Sequence, residues 1–308
     1  MGKKVVLALG GNAILQPGQA GEFDIQQANV VASSKSIAHV VNAGHDVVIV
    51  HGNGPQVGQI LRQNELAQSE VPVQPLPACS AESQGYIGYM MQEALKNVLP
   101  NKQVATVLTM TEVDPNDEAF SHPTKPIGSF FTEEESNLLV KEKGWVMGED
   151  AGRGYRRLVA SPEPKAIVEV DVIKMMMSHG FLVISTGGGG IPVVRDAFGQ
   201  LSGVAAVIDK DSSALRLSKD VDADVLMILT DVSNVYINYG QPNQESLTEL
   251  SVEKAQSYYD AGHFSDGSMG PKMAACIDFA KQGKTAIICS LNDALEALEG
   301  RAGTRVVG

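Results

Sequence analysis

The sequence predicts an α/β protein: an open, mainly parallel sheet sandwiched between helices (αβα), with a small protruding subdomain. Three observations lead there. Short β-rich apolar runs alternate with helical stretches along the 308 residues. The runs are apolar at every position rather than at every second one, which marks strands covered on both faces. Several of them end in glycine-rich segments, as expected where ligands gather at the carboxyl ends of parallel strands.

In chain order, VVLAL (Val5–Leu9) is the first strand, and Gly10, Gly11 and Asn12 interrupt it at once. A helix follows over Ile25–Asn42, then the strand DVVIV, the turn HGNGPQVG and a helix over Val57–Gln68. VATVLTM, FLVIST, VLMILTD, TAIICS and TRVV supply the remaining strands. From Asp114 to about Pro164 strand signals are few and Pro and charge dominate, in DPNDEAFSHPTKPIGSF and EDAGRGYRR. That length without regular structure is too great for a plain loop and predicts the protruding subdomain, a possible lid. A lobe boundary is expected near Gly203, giving an N-terminal lobe over 1–204, which includes the subdomain at about 114–164, and a C-terminal lobe over 205–308. The Met175–Met177 triplet reads as helix core.

Composition narrows the function. Net charge is −12, which disfavours nucleic acid or an anionic membrane as partner, since both attract clustered Lys and Arg. No run approaches the ~18 apolar residues of a membrane span, and no export signal is evident. The three cysteines, Cys79, Cys276 and Cys289, have no C-x-x-C spacing, so neither a disulfide framework nor a zinc site is expected, and the chain suits a reducing cytoplasm. The six histidines form no H-x-x-x-H pair, and there is no G-x-S-x-G elbow, so zinc and serine hydrolysis are poorly supported.

An anionic substrate must then be met locally. Gly283-Lys284-Thr285 imitates a P-loop, but Asp278 stands where its first glycine belongs. Gly52-Asn53-Gly54 with Gly58 is one residue longer than a dinucleotide fingerprint and has Pro55 inside the turn. As a pair, however, the GGN and GNG turns can form one anion cradle, because glycine lets an anion approach main-chain N–H groups and asparagine adds amide donors. Either turn alone can equally be a tight strand-to-helix connection. Lys210, between Asp209 and Asp211, and Lys272, after Gly270-Pro271, each stand at an expected helix start, where ammonium and helix end together suit a phosphoryl group in transfer. A solvated charge is the plainer reading of either lysine, but Asp211 can hold both in register. Lys125 is stiffened by Pro123 and Pro126 and can reach down from the lid. TGGGGIP is either a phosphate-facing turn or a flexible connector. Thr230, Asp231 and Tyr236 end a strand with groups able to meet a ribose or base, unless Asp231 merely caps a turn.

Together ALGGNAI, HGNGPQVG, QGYIGYM, DPNDEAF, PTKPIG, EDAGRGYRR, GGGGIPV, AVIDKD, ILTDV, INYG and GHFSDGSMGPK resemble the carbamate kinase family of the amino acid kinase superfamily. The resemblance spans the chain. His122 replaces a common Asn, Tyr155 a common Trp, and Gly270 often differs, none of them at a residue given chemistry. It implies an amino acid kinase-like fold, a homodimer, and phosphate exchange between ATP and carbamate to give ADP and carbamoyl phosphate, with Mg2+ carried on the nucleotide phosphates and no metal held by the protein itself. It further implies that Gly10, Gly11 and Asn12 hold the transferred phosphoryl group. Gly52, Asn53, Gly54 and Lys125 serve carbamate in the N-terminal lobe. Lys210 and Lys272 bind phosphates, organised by Asp211, with Thr230, Asp231, Tyr236, Met269 and Lys272 on the nucleotide side of the C-terminal lobe. Such chemistry needs no base, because ionised carbamate is already a nucleophile. ATP synthesis during arginine breakdown is the role the resemblance suggests. Kinases of acylamino acids or nucleoside monophosphates, and a catalytically silent nucleotide sensor, are the alternatives.

Overall fold

The computed structural model describes residues 2–150, 152–265 and 268–308. Its centre is an eight-stranded sheet in the order Glu249–Ser251, Thr304–Val307, Thr285–Ser290, Val225–Thr230, Lys4–Leu9, Asp46–His51, Leu182–Ser185, Val104–Thr106. Every pairing is parallel except that of Thr285–Ser290 with Thr304–Val307. The first strand lies between one from each half of the chain, with Leu9 opposite both His51 and Leu229.

The uninterrupted apolar runs have a direct explanation. Val6, Ala8, Val48, Val50, Leu226 and Ile228 belong to the core on one face. Their alternates Val5, Leu7, Leu9, Val47, Ile49, Met227 and Leu229 belong to the core on the other. Side chains alternate faces with period two, so a strand with two covered faces must be apolar throughout. Each fully buried Val, Leu or Ile contributes about 1.5–3 kcal/mol. Helices Phe23–Asn42 and Leu76–Val98 cover one face, while Lys210–Asp220 and Met269–Ala280 cover the other.

Three expectations need correction. VATVLTM is not one strand: Val104–Thr106 joins the large sheet, whereas Met110–Val113 joins a second, four-stranded sheet with Ile191–Arg195, Leu201–Gly203 and Pro164–Ile167. Buried Thr109 marks the break, its N–H donating to the Gln84 side chain in place of a strand partner. The region about 114–164 is richer in strands than its sequence suggests, with an antiparallel sheet of Lys125–Phe131, Tyr155–Val159 and Val146–Glu149 and a helix over Glu133–Lys143. That helix begins in a capping box of Thr132 and Glu135 and ends at Gly144 with φ +64°. Of the methionine triplet only Met177 is buried, and Met175 is exposed. Ile127 and Val159 seat the protruding sheet on Val57, Leu61, Leu76 and Cys79 of the body.

Candidate active site

Because the strands are parallel, Leu9, His51, Ser185, Thr230 and Ser290 bring their following loops to one edge of the sheet. The Gly10 N–H donates to the Leu229 carbonyl at 3.2 Å, and the Gly52 N–H to the Leu9 carbonyl at 3.1 Å. The two glycine turns are therefore neighbours, as expected. A Cβ on Gly52 would lie 3.5 Å from the Gly11 nitrogen and 3.8 Å from Lys210 Cδ, so both turns and the stem of Lys210 converge.

Lys210 opens the helix Lys210–Asp220, and Asp209 caps it by accepting from the N–H groups of Asp211 and Ser212 at 2.8 and 3.3 Å. Asp211, only 3% exposed, sits between the two expected lysines. One carboxylate oxygen pairs with Lys210 Nζ, and the other lies 3.0 Å from Lys272 Nζ. Lys272 is in the first turn of Met269–Ala280 and also donates to the Ser268 carbonyl at 3.4 Å. Two ammonium groups from segments 62 residues apart in the chain are thus locked by one buried carboxylate, which needs both to offset its desolvation.

Gly10, Gly11, Asn12, Thr230, Asp231 and Lys272 border a cavity of about 570 Å³. A second cavity of about 550 Å³ is lined by Tyr236 and Met269 and shares Thr230, Asp231 and Ser268 with the first. The pair forms one elongated cleft, with Lys272 on the first cavity's wall. Lys210, Asp211, Gly52, Asn53, Gly54 and Lys125 do not border it. The contact of Gly52 with Gly11 and the Lys210–Asp211–Lys272 chain connect it to the residues beyond.

Lys125 comes to this place from the protruding sheet, its Nζ 3.0 Å from Asp209 Oδ2. Burial opposes ionisation of Asp209, but the Lys125 ammonium and the Asp211 N–H outweigh it and hold the carboxyl below its ordinary value. Asp209 was not singled out from sequence. An Asp directly before a helix, with Ser212 three residues on, is an N-cap signal that could have found it.

Asn53 is nearly buried and donates to Ser83 Oγ at 2.8 Å. Its amide braces the turn and keeps one further N–H. Gly54 is the first residue of the helix Gly54–Ala67, with Pro55 in its first turn. The TGGGG run is no loose connector, since Gly187, Gly188 and Gly189 are buried. A Cβ on Gly188 would overlap the Asn53 amide at 2.2 Å, and one on Gly189 would overlap the Ile208 carbonyl at 2.4 Å. Bare backbone there lets the turn close on the site. His51, 1% exposed, donates from Nδ1 to the Gly52 carbonyl at 2.9 Å, and burial lowers its pKa to about 4, so the ring is neutral. Asp231 accepts from the Thr230 hydroxyl at 2.9 Å. Gly267 of GSMGPK, the preceding Asp266, and Ala151 of EDAGRGYRR lie outside the described residues.

An edge that gathers two glycine turns, a carboxylate-locked lysine pair and a cleft along its wall is an anion-transfer site on an αβα sandwich. The sequence profile of the Amino acid kinase family matches residues 3–290, and the chain belongs to that family. A carbamate kinase from Pyrococcus furiosus is 48% identical over all of both chains, and one from Clostridium perfringens is 48% identical over 99% of each. The solved carbamate kinase from Giardia lamblia bound to AMP-PNP superposes with a TM-score of 0.94 at 47% identity, covering 99% of this chain and 98% of that one. Within the family the chain groups with the carbamate kinases.

Proposed function

We propose that the chain transfers a phosphoryl group reversibly between ATP and carbamate, giving ADP and carbamoyl phosphate. Forward, a carbamate oxygen attacks the γ-phosphorus and the bond to the ADP oxygen breaks. In reverse, an ADP β-phosphate oxygen attacks the phosphorus of carbamoyl phosphate and carbamate departs. The observation that carries this reading is Asp211 holding Lys210 and Lys272 together beside the Gly10–Asn12 turn. Two fixed cations and main-chain N–H groups offset the charge that spreads over the transferred group, and they need no rearrangement as it moves.

In this reading the nucleotide occupies the cleft along Tyr236, Met269, Thr230 and Asp231, its phosphates reaching Lys272 and Lys210. The Gly10, Gly11 and Asn12 turn holds the migrating phosphoryl group. Carbamate lies on the side of Gly52, Asn53 and Gly54, with Lys125 over it. Residues 1–204 then form the carbamate lobe and 205–308 the nucleotide lobe. Mg2+ would be carried by the nucleotide phosphates and would supply charge neutralisation there, with the oxygens of Thr230 and Asp231 on the cleft wall available to face it.

A homodimer, a cytoplasmic home and ATP synthesis from carbamoyl phosphate in arginine breakdown complete the proposal. Among the described residues no helix is long and apolar enough to cross a membrane. The test is ADP-dependent ATP formation from carbamoyl phosphate with magnesium present, alongside light scattering for the dimer. Tight nucleotide binding without turnover would make the chain a silent sensor. Turnover only with N-acetylglutamate or UMP would make it another kinase of the superfamily.

A further inference from the structure

A cavity of about 650 Å³ lies apart from the cleft, between the body and the protruding sheet, and shares no lining residue with it. Its walls are largely apolar, with Leu61, Leu76 and Pro77 from the body and Trp145 from the subdomain. We propose that this cavity is a second ligand site, which takes a small organic carboxylate with an apolar body and binds its carboxylate at Arg157.

The argument begins with the arginines of one strand. Arg156 is satisfied, donating to Asp150 at 2.9 Å and to the Gly128 carbonyl at 3.2 Å. Arg157, its neighbour, makes no hydrogen bond or ion pair from its guanidinium among the described residues, although it is partly buried and borders the cavity. It stacks over Trp145, with Cζ 4.6 Å from the ring centroid, and the Lys143 ammonium lies 4.8 Å from the same ring. The single carboxylate on the wall, Glu65, is 3.4 Å from Arg62. Burial disfavours the charge of Arg157, and Glu65 only partly opposes this. In a protein of net charge −12, a cavity with two cations and one engaged carboxylate is a local exception.

A planar guanidinium with unused N–H groups matches a carboxylate's two oxygens, and stacking on Trp145 leaves its edge free to make both bonds. Inorganic phosphate would satisfy the charge but leave the apolar walls uncovered. The apolar body is what fills them.

Trp145 is the only tryptophan in the chain, so its emission reports directly on this cavity. Cyclohexanecarboxylate, which does not absorb where tryptophan is excited, is titrated into the full-length protein. The expected result is a saturable emission change with a midpoint in the millimolar range or below, and a rise in melting temperature by mass action. Cyclohexanecarboxamide and inorganic phosphate should give neither. Arg157→Gln should weaken binding at least about tenfold, the worth of one charged hydrogen bond, with phosphotransfer retained. Ala205→Leu narrows the cavity from an exposed position away from the core and should also abolish the response, which keeps the test open if Arg157→Gln does not fold. No saturable change, an equal response to the amide or to phosphate, or an undiminished affinity in either folded variant would each overturn the proposal.

Discussion

Asp211 links more of this site than any other residue, and its burial decides what happens when a partner is removed. The lysine pair was legible from IDKD and GPK, where each lysine stands at an expected helix start. The structure adds that removing Lys210 would leave Asp211, at 3% exposure, with Lys272 alone. Lys210→Met is expected to lower turnover by about 10²–10³-fold, as for loss of one donor to a developing charge. It should also lower stability by about 1–3 kcal/mol because a buried carboxylate is left half-satisfied. Kinetics and denaturant midpoints check both, and near-normal turnover would remove Lys210 from the mechanism. Asp209, named in the sequence only as a neighbour of Lys210, allows a cleaner separation. Asn caps a helix as well as Asp, so Asp209→Asn should keep the cap while releasing Lys125. The Michaelis constant for carbamoyl phosphate should rise about tenfold, the size of one charged hydrogen bond, with little change in melting temperature. An unchanged constant would show that Lys125 needs no such partner.

Elements arrange these residues with little tolerance for extra atoms. The TGGGG turn could not be resolved from sequence, because four glycines suit a flexible connector and a tightly packed turn equally well. What distinguishes them is the surroundings: Gly188 at φ +64° has the Asn53 amide where a methyl would go. Gly188→Ala is therefore expected to destabilise by about 1–3 kcal/mol through overpacking and a left-handed backbone, and to weaken use of the small substrate by shifting Asn53. A thermal melt and a Michaelis constant unchanged from the parent would refute the close packing. The protruding sheet was missed for a related reason. Its strands are short, half-exposed and interrupted by Gly128, so they carry neither the continuous apolar run of the main sheet nor a clean alternation. The capping box at Thr132 and Glu135 is the signal that could have found the helix between these strands.

At the scale of the whole molecule, burial of a neutral histidine couples folding to pH. His51 titrates near 4 when folded, against an ordinary value of 6.5. Between these values the unfolded chain binds a proton that the folded chain does not, so stability falls as pH drops from 6.5 through about 4. The full loss is about 3 kcal/mol. His51→Asn should flatten the melting-temperature profile across that window, and an equally steep profile in the variant would place the titration elsewhere. Asp209, held below its ordinary value by Lys125 after burial is overcome, adds a loss in the same direction at lower pH. The order of chemistry along the chain was readable without coordinates: parallel strands, glycine turns at their ends, lysines at helix starts. Those are local matters of backbone freedom, hydrophobic period and helix-end charge. Whether distant groups actually meet, and which unexpected ones join them, was decided by the fold. Lys272 against Asp211 and Lys125 against Asp209 join residues 61 and 84 positions apart, and the burial of His51 and the unpaired guanidinium of Arg157 depend on everything packed around them. Their energies depend on burial and distance, and neither quantity exists until the sheet has closed.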